Sequence, residues 1–306
     1  MFADDVLVLD GGLATALEAA GADLSDELWS ARLLLDDPSA IADVHRAYLD
    51  AGADVIITAS YQASVDGFMR RGLSRDAAEE LIRSSVTLAR RVRDGWWGDG
   101  RAGRRRPLVA ASVGPYGAVL ADGSEYRGDY GLTVDELAAF HEPRLRLLID
   151  REPDLLAIET IPSLDEARAL AQALERAPAA PPAWWSFTCR DDEHLADGSA
   201  FGDAVDVAAA APGTLAVGVN CTDPRLVARL VEAAASRTGL PVVVYPNRAA
   251  RWDATAKRWG DDGVDDLAVM APTWRDAGAR LIGGCCGTLP RDIRAIAAAV
   301  GPAARP

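Results

Sequence analysis

Cys285 and Cys286 stand side by side in LIGGCCGT (281–288), in a chain that has only four cysteines. Adjacent Cα atoms lie about 3.8 Å apart across a trans peptide. A disulfide usually spans roughly 4.4–6.8 Å, so the pair makes a poor structural bridge. A metal site, a redox pair or two packed thiols remain. Cys221 ends another apolar run, LAVGVNC (215–221). Three thiolates meeting at one point would suit zinc, which takes nitrogen and sulfur ligands tetrahedrally, and three protein ligands leave the open position of a catalytic site. Equally, free cysteine is often no more than a small buried hydrophobe, and no CxxC spacing argues for a metal. Cys189 has no partner in the pattern and reads as core packing. His45 and His141 fall inside helical stretches and His194 in a polar loop, so all three read as surface or packing residues rather than ligands.

Residues so far apart in sequence need a scaffold to meet. Eight short apolar runs punctuate the chain: 6–10, 53–60, 108–114, 154–160, 183–189, 215–221, 241–247 and 279–286. Their nearly continuous apolar character fits strands buried on both faces of a parallel sheet. Amphipathic stretches lie between them, at 39–52, 74–95, 133–150, 163–176 and 223–236, with Ser39, Ser74 and Thr133 as expected N-caps. Eight β–α alternations over 306 residues predict a (β/α)8 TIM barrel of class α/β, one domain over 1–306. A doubly wound sheet would carry a GxGxxG turn after its first strand. DGGLATAL lacks it.

Barrel enzymes work at the C-terminal ends of their strands. The residues expected there are Asp10, Ser60, Glu159, Cys189, Cys221, Asn247, Cys285 and Cys286. Strands six and eight are separated by one strand, which brings Cys221 near the vicinal pair and sets Asn247 between them. Gly283 and Gly284 suit a backbone that must turn two consecutive side chains to one point.

A formal net charge of −14 argues against a nucleic-acid or anionic-membrane partner. GRAGRRRP (100–107) is a basic exception, framed by Gly and Pro as a solvated loop. Four cysteines over this length do not make a secreted disulfide scaffold. MFADDVLVLDGG does not have the charge pattern of a signal peptide. A reducing cytoplasm is the expected compartment.

The segments VLDGGLATALEAAGADLSDELWSARLLLDDP, ADVIITASYQAS, SVGPYGAVLADGSEYRGDYG, IETIPS, GVNCTDP, VVVYPN and ARLIGGCCGT together resemble the zinc-dependent homocysteine S-methyltransferases, over about residues 6–298. SVGPYGAVLADGSEYRGDYG is most similar to the branch that uses S-methylmethionine. The resemblance implies that Cys221, Cys285 and Cys286 bind Zn2+, with Asn247 as a displaceable fourth ligand. It implies that Asp10 and Glu159 hold the amino-acid end of homocysteine, with Gly11 beside them. Gln62, next to Tyr61, is expected among the substrate contacts, at a position where betaine-using relatives carry a tyrosine.

Sulfur-rich coordination suits the chemistry this implies. A thiol with pKa about 8.5 is mostly protonated at neutral pH, and coordination to zinc deprotonates it. The expected reaction is in-line transfer of a methyl group from a sulfonium to the homocysteine thiolate, giving methionine. The loop after the third strand carries Tyr116, Asp122, Glu125, Tyr126, Asp129 and Tyr130, whose aromatic faces and carboxylates attract cations. Glu125 and Tyr126 are therefore expected on the donor sulfonium, and Trp29 as a wall of the same pocket. S-adenosylmethionine is the alternative donor, with betaine and corrinoid donors behind it and selenocysteine as a further acceptor. A barrel that merely binds zinc or senses oxidants through its vicinal thiols is the reading from another class. Monomer and homodimer both fit.

Overall fold

The structure, a computed structural model of the chain, describes residues 6–24, 29–100, 104–248, 252–253, 258–259, 263 and 266–301. Among these, eight parallel strands form one sheet: β1 (Leu7–Val8), β2 (Val55–Ile57), β3 (Leu108–Val113), β4 (Leu155–Ile161), β5 (Ala183–Phe187), β6 (Thr214–Asn220), β7 (Val242–Tyr245) and β8 (Ala279–Ile282). Neighbours follow the order β1-β8-β7-β6-β5-β4-β3-β2. A parallel bridge between Leu9 and Val55 joins the first strand to the second and closes the ring. The fold is a TIM-type barrel, as the alternating pattern predicts. A two-residue antiparallel pair, Trp252–Asp253 with Arg258–Trp259, is inserted between β7 and β8.

Period-two alternation along each strand separates two apolar layers. Leu7, Val55, Ala110, Ala157, Trp184, Ala216, Val243 and Leu281 fill the barrel interior. Val8, Ile56, Val109, Ile158, Trp185, Val217, Val244 and Ile282 pack outward under the helices. The same alternation, continued to the C-terminal end, turns Ser112, Glu159, Ser186, Asn220 and Tyr245 inward. The interior thus ends in a polar layer, and that layer is the floor of the site.

Gly218 occupies the inward row of β6 where it passes closest to β7. A Cβ there would sit 1.9 Å from the carbonyl oxygen of Val243, its register partner. Gly218→Ala is expected to destabilise the protein by at least about 3 kcal/mol, at the upper end of overpacking costs because backbone cannot rotate away. Urea unfolding checks this; a midpoint within error of the parent contradicts it.

The helices begin where the sequence signals them, with one correction. Ser74 and Thr133 cap their helices, and Thr133 completes a reciprocal capping box with Glu136. Ser39 is not the cap of Pro38–Ala51: Asp37 accepts from Ala40 N–H, and the Ser39 hydroxyl donates to Asp37 instead. Proline at the first helical position sets the start two residues earlier than a Ser39 cap would. The basic loop also differs from the solvated reading. Residues 101–103 lie outside the described set, but Arg104 donates to the carbonyls of Gly52 and Ala53 at 3.0 and 3.2 Å and lies over the Trp96 ring. His45 and His141 are fully buried, and His141 shares a hydrogen bond with Glu166. Among the described residues no helix is long and apolar enough to cross a membrane.

Candidate metal centre

Cys221 follows β6 directly, and Cys285 and Cys286 follow β8 after a Gly-Gly step. Their sulfurs all lie within 4.8 Å of one another. The Cys221 and Cys286 sulfurs are 3.7 Å apart, and those of Cys221 and Cys285 2.7 Å. Zinc–sulfur bonds of about 2.3 Å in a tetrahedron set an edge of about 3.8 Å, which the first separation matches and the second would have to open to reach. Burial and the hydrogen bond with Cys221 push the Cys285 thiol up, the hydrogen bond being the larger cause. A divalent cation is what would let three such sulfurs ionise together. Thiolate donors select zinc over hard oxygen-loving ions.

Gly283 and Gly284 matter here for room rather than for unusual torsions. A Cβ on Gly283 would meet Asp10 O at 2.8 Å and Leu9 Cβ at 2.6 Å; one on Gly284 would meet Thr288 Oγ1 at 2.5 Å. The bare backbone lets the end of β8 lie against the end of β1, so Cys285 and Asp10 face the same space. Left-handed torsions occur instead at Cys221 (φ 45°) and Thr160 (φ 60°). Both are unfavourable for side chains of their kind and cluster at the site.

The sulfurs form one wall of a cavity of about 100 Å³. Asp10, Gly11, Glu159, Tyr61 and Tyr126 line the rest together with Tyr245 and the start of the first helix. Asp10 is almost wholly buried; its Oδ2 accepts from Ile57 N–H at 2.8 Å, and its Oδ1 has no partner among the described residues. Burial raises its pKa well above the usual carboxylate range, and the nearby Glu159 adds to the rise. Glu159 is raised to about 7, chiefly by burial, against hydrogen bonds from Ser112 and Tyr245. Tyr245 OH is itself held by Trp184 Nε1 at 2.9 Å and Ser186 Oγ at 2.5 Å. The floor is therefore rigid beneath two carboxylates that form no ion pair among the described residues, the buried Arg144 acting on Glu159 only at a distance.

Residues 114–131 form a lid over this cavity. Tyr116 N–H donates to Glu166 Oε1 at 2.5 Å, and His141 Nε2 meets the same oxygen at 2.9 Å. Tyr116 and Tyr130 pack edge to face at 5.3 Å. So fastened, the lid brings Tyr126 OH to 3.9 Å from Cys221 Sγ.

The expected residues thus divide. Asp10, Gly11, Glu159, Tyr126 and the three cysteines share one cavity. Gln62 does not line it; its Nε2 ties the lid through the carbonyl of Ala118 at 2.9 Å. Glu125 is buried within the lid and does not line the cavity; one oxygen is unpartnered among the described residues, and burial pushes its pKa up to about 7. Asn247 is buried and turns Nδ2 to the carbonyl of Cys221 at 3.4 Å. The Trp29 side chain lies outside the described residues; its backbone opens the turn Trp29–Arg32, and Ser30 reaches the cavity. Tyr61, Tyr245 and Asn220 carry no motif of their own in the sequence. Only the inward row of β6 and β7, counted by twos, points to the last two.

The family model described as Homocysteine S-methyltransferase matches residues 7–300. The chain belongs to the homocysteine S-methyltransferase family. It is 50% identical over 303 residues to homocysteine S-methyltransferase 4 of Zea mays, covering 96% of this chain and 89% of that one. It is 48% identical over 297 residues to homocysteine S-methyltransferase of Escherichia coli, covering 96% and 95%. The crystal structure of the homocysteine methyltransferase MmuM from Escherichia coli in its metallated form superposes with a TM-score of 0.86 at 47% identity, over 97% of this chain and 96% of that one. The three converging cysteines are the metal site, and their thiolate donors, together with the metallated form of that relative, support zinc.

Proposed function

We propose that this homocysteine S-methyltransferase takes its methyl group from S-methylmethionine, and that Asp10 and Glu159 anchor the acceptor. The observation that carries this is the cavity itself: three sulfurs on one wall, two buried carboxylates in no ion pair among the described residues, and an aromatic lid over the opening.

Zinc, held by Cys221, Cys285 and Cys286, supplies the charge that keeps an acceptor thiol ionised at neutral pH. The chain does the rest. Asp10 Oδ1 and the Glu159 carboxylate accept from the substrate ammonium, which relieves both of their burial cost. Anchoring that end leaves the thiol pointing at the cysteine wall. The lid keeps water from the sulfurs and presents the Tyr126 ring, whose face stabilises a cation. Burial keeps the Tyr126 hydroxyl protonated, so it adds no negative charge.

The transfer breaks one sulfonium C–S bond and forms one C–S bond to the acceptor. Positive sulfonium and negative thiolate become two neutral thioethers, a change that a dry cavity favours. No proton moves in this step, and alignment is the main contribution of the protein. With S-methylmethionine both products are methionine. What supports this donor is the lid sequence itself, SVGPYGAVLADGSEYRGDYG, whose likeness is to the S-methylmethionine-using branch.

Tyr126→Ala is expected to raise the KM for S-methylmethionine by about tenfold or more, the size of a desolvated cation–π contact, with the KM for homocysteine nearly unchanged. Steady-state kinetics with each substrate varied in turn checks it, with S-adenosylmethionine as a parallel donor. An unchanged donor KM would remove Tyr126 from the donor site, and a lower KM for S-adenosylmethionine than for S-methylmethionine would replace the donor.

A further inference from the structure

Asn220 is the last residue of β6 and is fully buried. Its amide is used at both ends. Oδ1 accepts from Thr160 N–H at 2.7 Å, and Nδ2 donates to Thr160 Oγ1 at 2.7 Å. An amide nitrogen has two hydrogens, and the same Nδ2 also lies 3.9 Å from Cys285 Sγ as a donor. One side chain therefore crosses the barrel top from the end of β4 to the sulfur wall.

Of the non-glycine residues in left-handed torsions, the two that line the cavity are the ones this amide controls. Thr160 (φ 60°) is clamped by it through both backbone and hydroxyl, and Cys221 (φ 45°) follows it in the chain. A β-branched residue stays in that region only where its surroundings over-determine it. Thr160 in turn follows Glu159. The clamp thus fixes the strand end that presents the carboxylate and, through the same group, the position of the sulfurs.

We infer that Asn220 is a positioning residue that sets the span between the ammonium anchor and the sulfur wall, and thereby selects homocysteine over the thiol one methylene shorter, cysteine. This rests on the reading that Asp10 and Glu159 hold the ammonium. An acceptor anchored at one end delivers its sulfur to a place fixed by its length. A methylene too few is worth roughly 10–200-fold in discrimination, and only a rigid frame can exact it, since a displacement of about 1 Å costs on the order of 100-fold.

The test uses zinc-loaded and cobalt-substituted full-length protein as Asn220→Ala, Thr160→Val, Thr160→Ser and Glu159→Gln. Two ratios are read for homocysteine against cysteine: kcat/KM, and the concentrations that half-saturate the change in the cobalt visible spectrum. Asn220→Ala and Thr160→Val should lower both ratios by about tenfold, and Thr160→Ser, which keeps the hydroxyl, should retain the parent values. Glu159→Gln should weaken both thiols. If Asn220→Ala and Thr160→Val slow both thiols by the same factor while Glu159→Gln weakens binding, the span inference falls and the anchor stands. If Glu159→Gln changes neither thiol, the anchor and the inference fall together.

Discussion

Replacing any one of Cys221, Cys285 or Cys286 by serine is expected to strip zinc from the protein and abolish methyl transfer. Each supplies one of three sulfurs that lie within 4.8 Å of one another, and among the described residues they are the one such group of candidate ligands. Loss of an outer-shell partner typically costs a metal site 10–100-fold; loss of a thiolate ligand should exceed that range in both metal affinity and rate. Cys189 provides the control. It is buried in the outer packing layer, with burial pushing its thiol far up, so Cys189→Ala should keep one zinc per chain and near-parental activity. Metal content by mass spectrometry, read beside turnover, separates the cases. Retained zinc in Cys286→Ser would break the three-sulfur assignment.

The second large effect comes from Glu159, where binding and stability should move in opposite directions. Burial raises its pKa from the usual 4.5 to about 7, so the folded protein holds this proton more tightly than the unfolded chain does. The sign follows: the group costs nothing below about pH 4.5, the cost grows as pH rises through about 7, and it is constant above that. A shift of this size is worth about 3 kcal/mol. Glu159→Gln removes the buried charge and can still accept from Ser112. Substrate-free Glu159→Gln should therefore melt higher than the parent at pH 8, with the gap closing toward pH 5. The same variant should raise the homocysteine KM by about 10- to 100-fold, the usual worth of a hydrogen bond to a charged group. Melting curves across pH 5–8 test this. A gap independent of pH would mean that Glu159 is not the buried titrating group described here.

How much of this is legible in the sequence depends on the kind of signal. Strands buried on both faces announce themselves as apolar runs, and with helices between them the ring of eight follows. That ring alone brings Cys221 to Cys285 and Cys286, residues more than sixty positions apart. Thr133 and Ser74 are legible because a cap is a local event. Ser39 misleads because Asp37 and Pro38 compete for the same start within two residues. Glycine pairs are ambiguous in the same way: Gly283 and Gly284 suggest unusual torsions, while the structure uses them for the space between β8 and β1. What stays hidden is the side chain that reaches across strands. Asn220 looks like one letter of GVNC until its amide is seen on Thr160. Gln62 looks like a substrate contact until its amide is seen on the lid. Arg104 looks solvated until the carbonyls it caps are in view. Composition and period say which face such a residue takes, but not which distant group it meets.

The most direct measurement is the fate of homocysteine labelled with 13C in its carbon skeleton, given S-methylmethionine with deuterated methyl groups. Skeleton label is needed because this donor also leaves as methionine. The account predicts methionine that carries both labels from zinc-loaded protein and none from Cys286→Ser. No doubly labelled methionine from protein with a full complement of zinc, with S-methylmethionine, S-adenosylmethionine or betaine as donor, would contradict it.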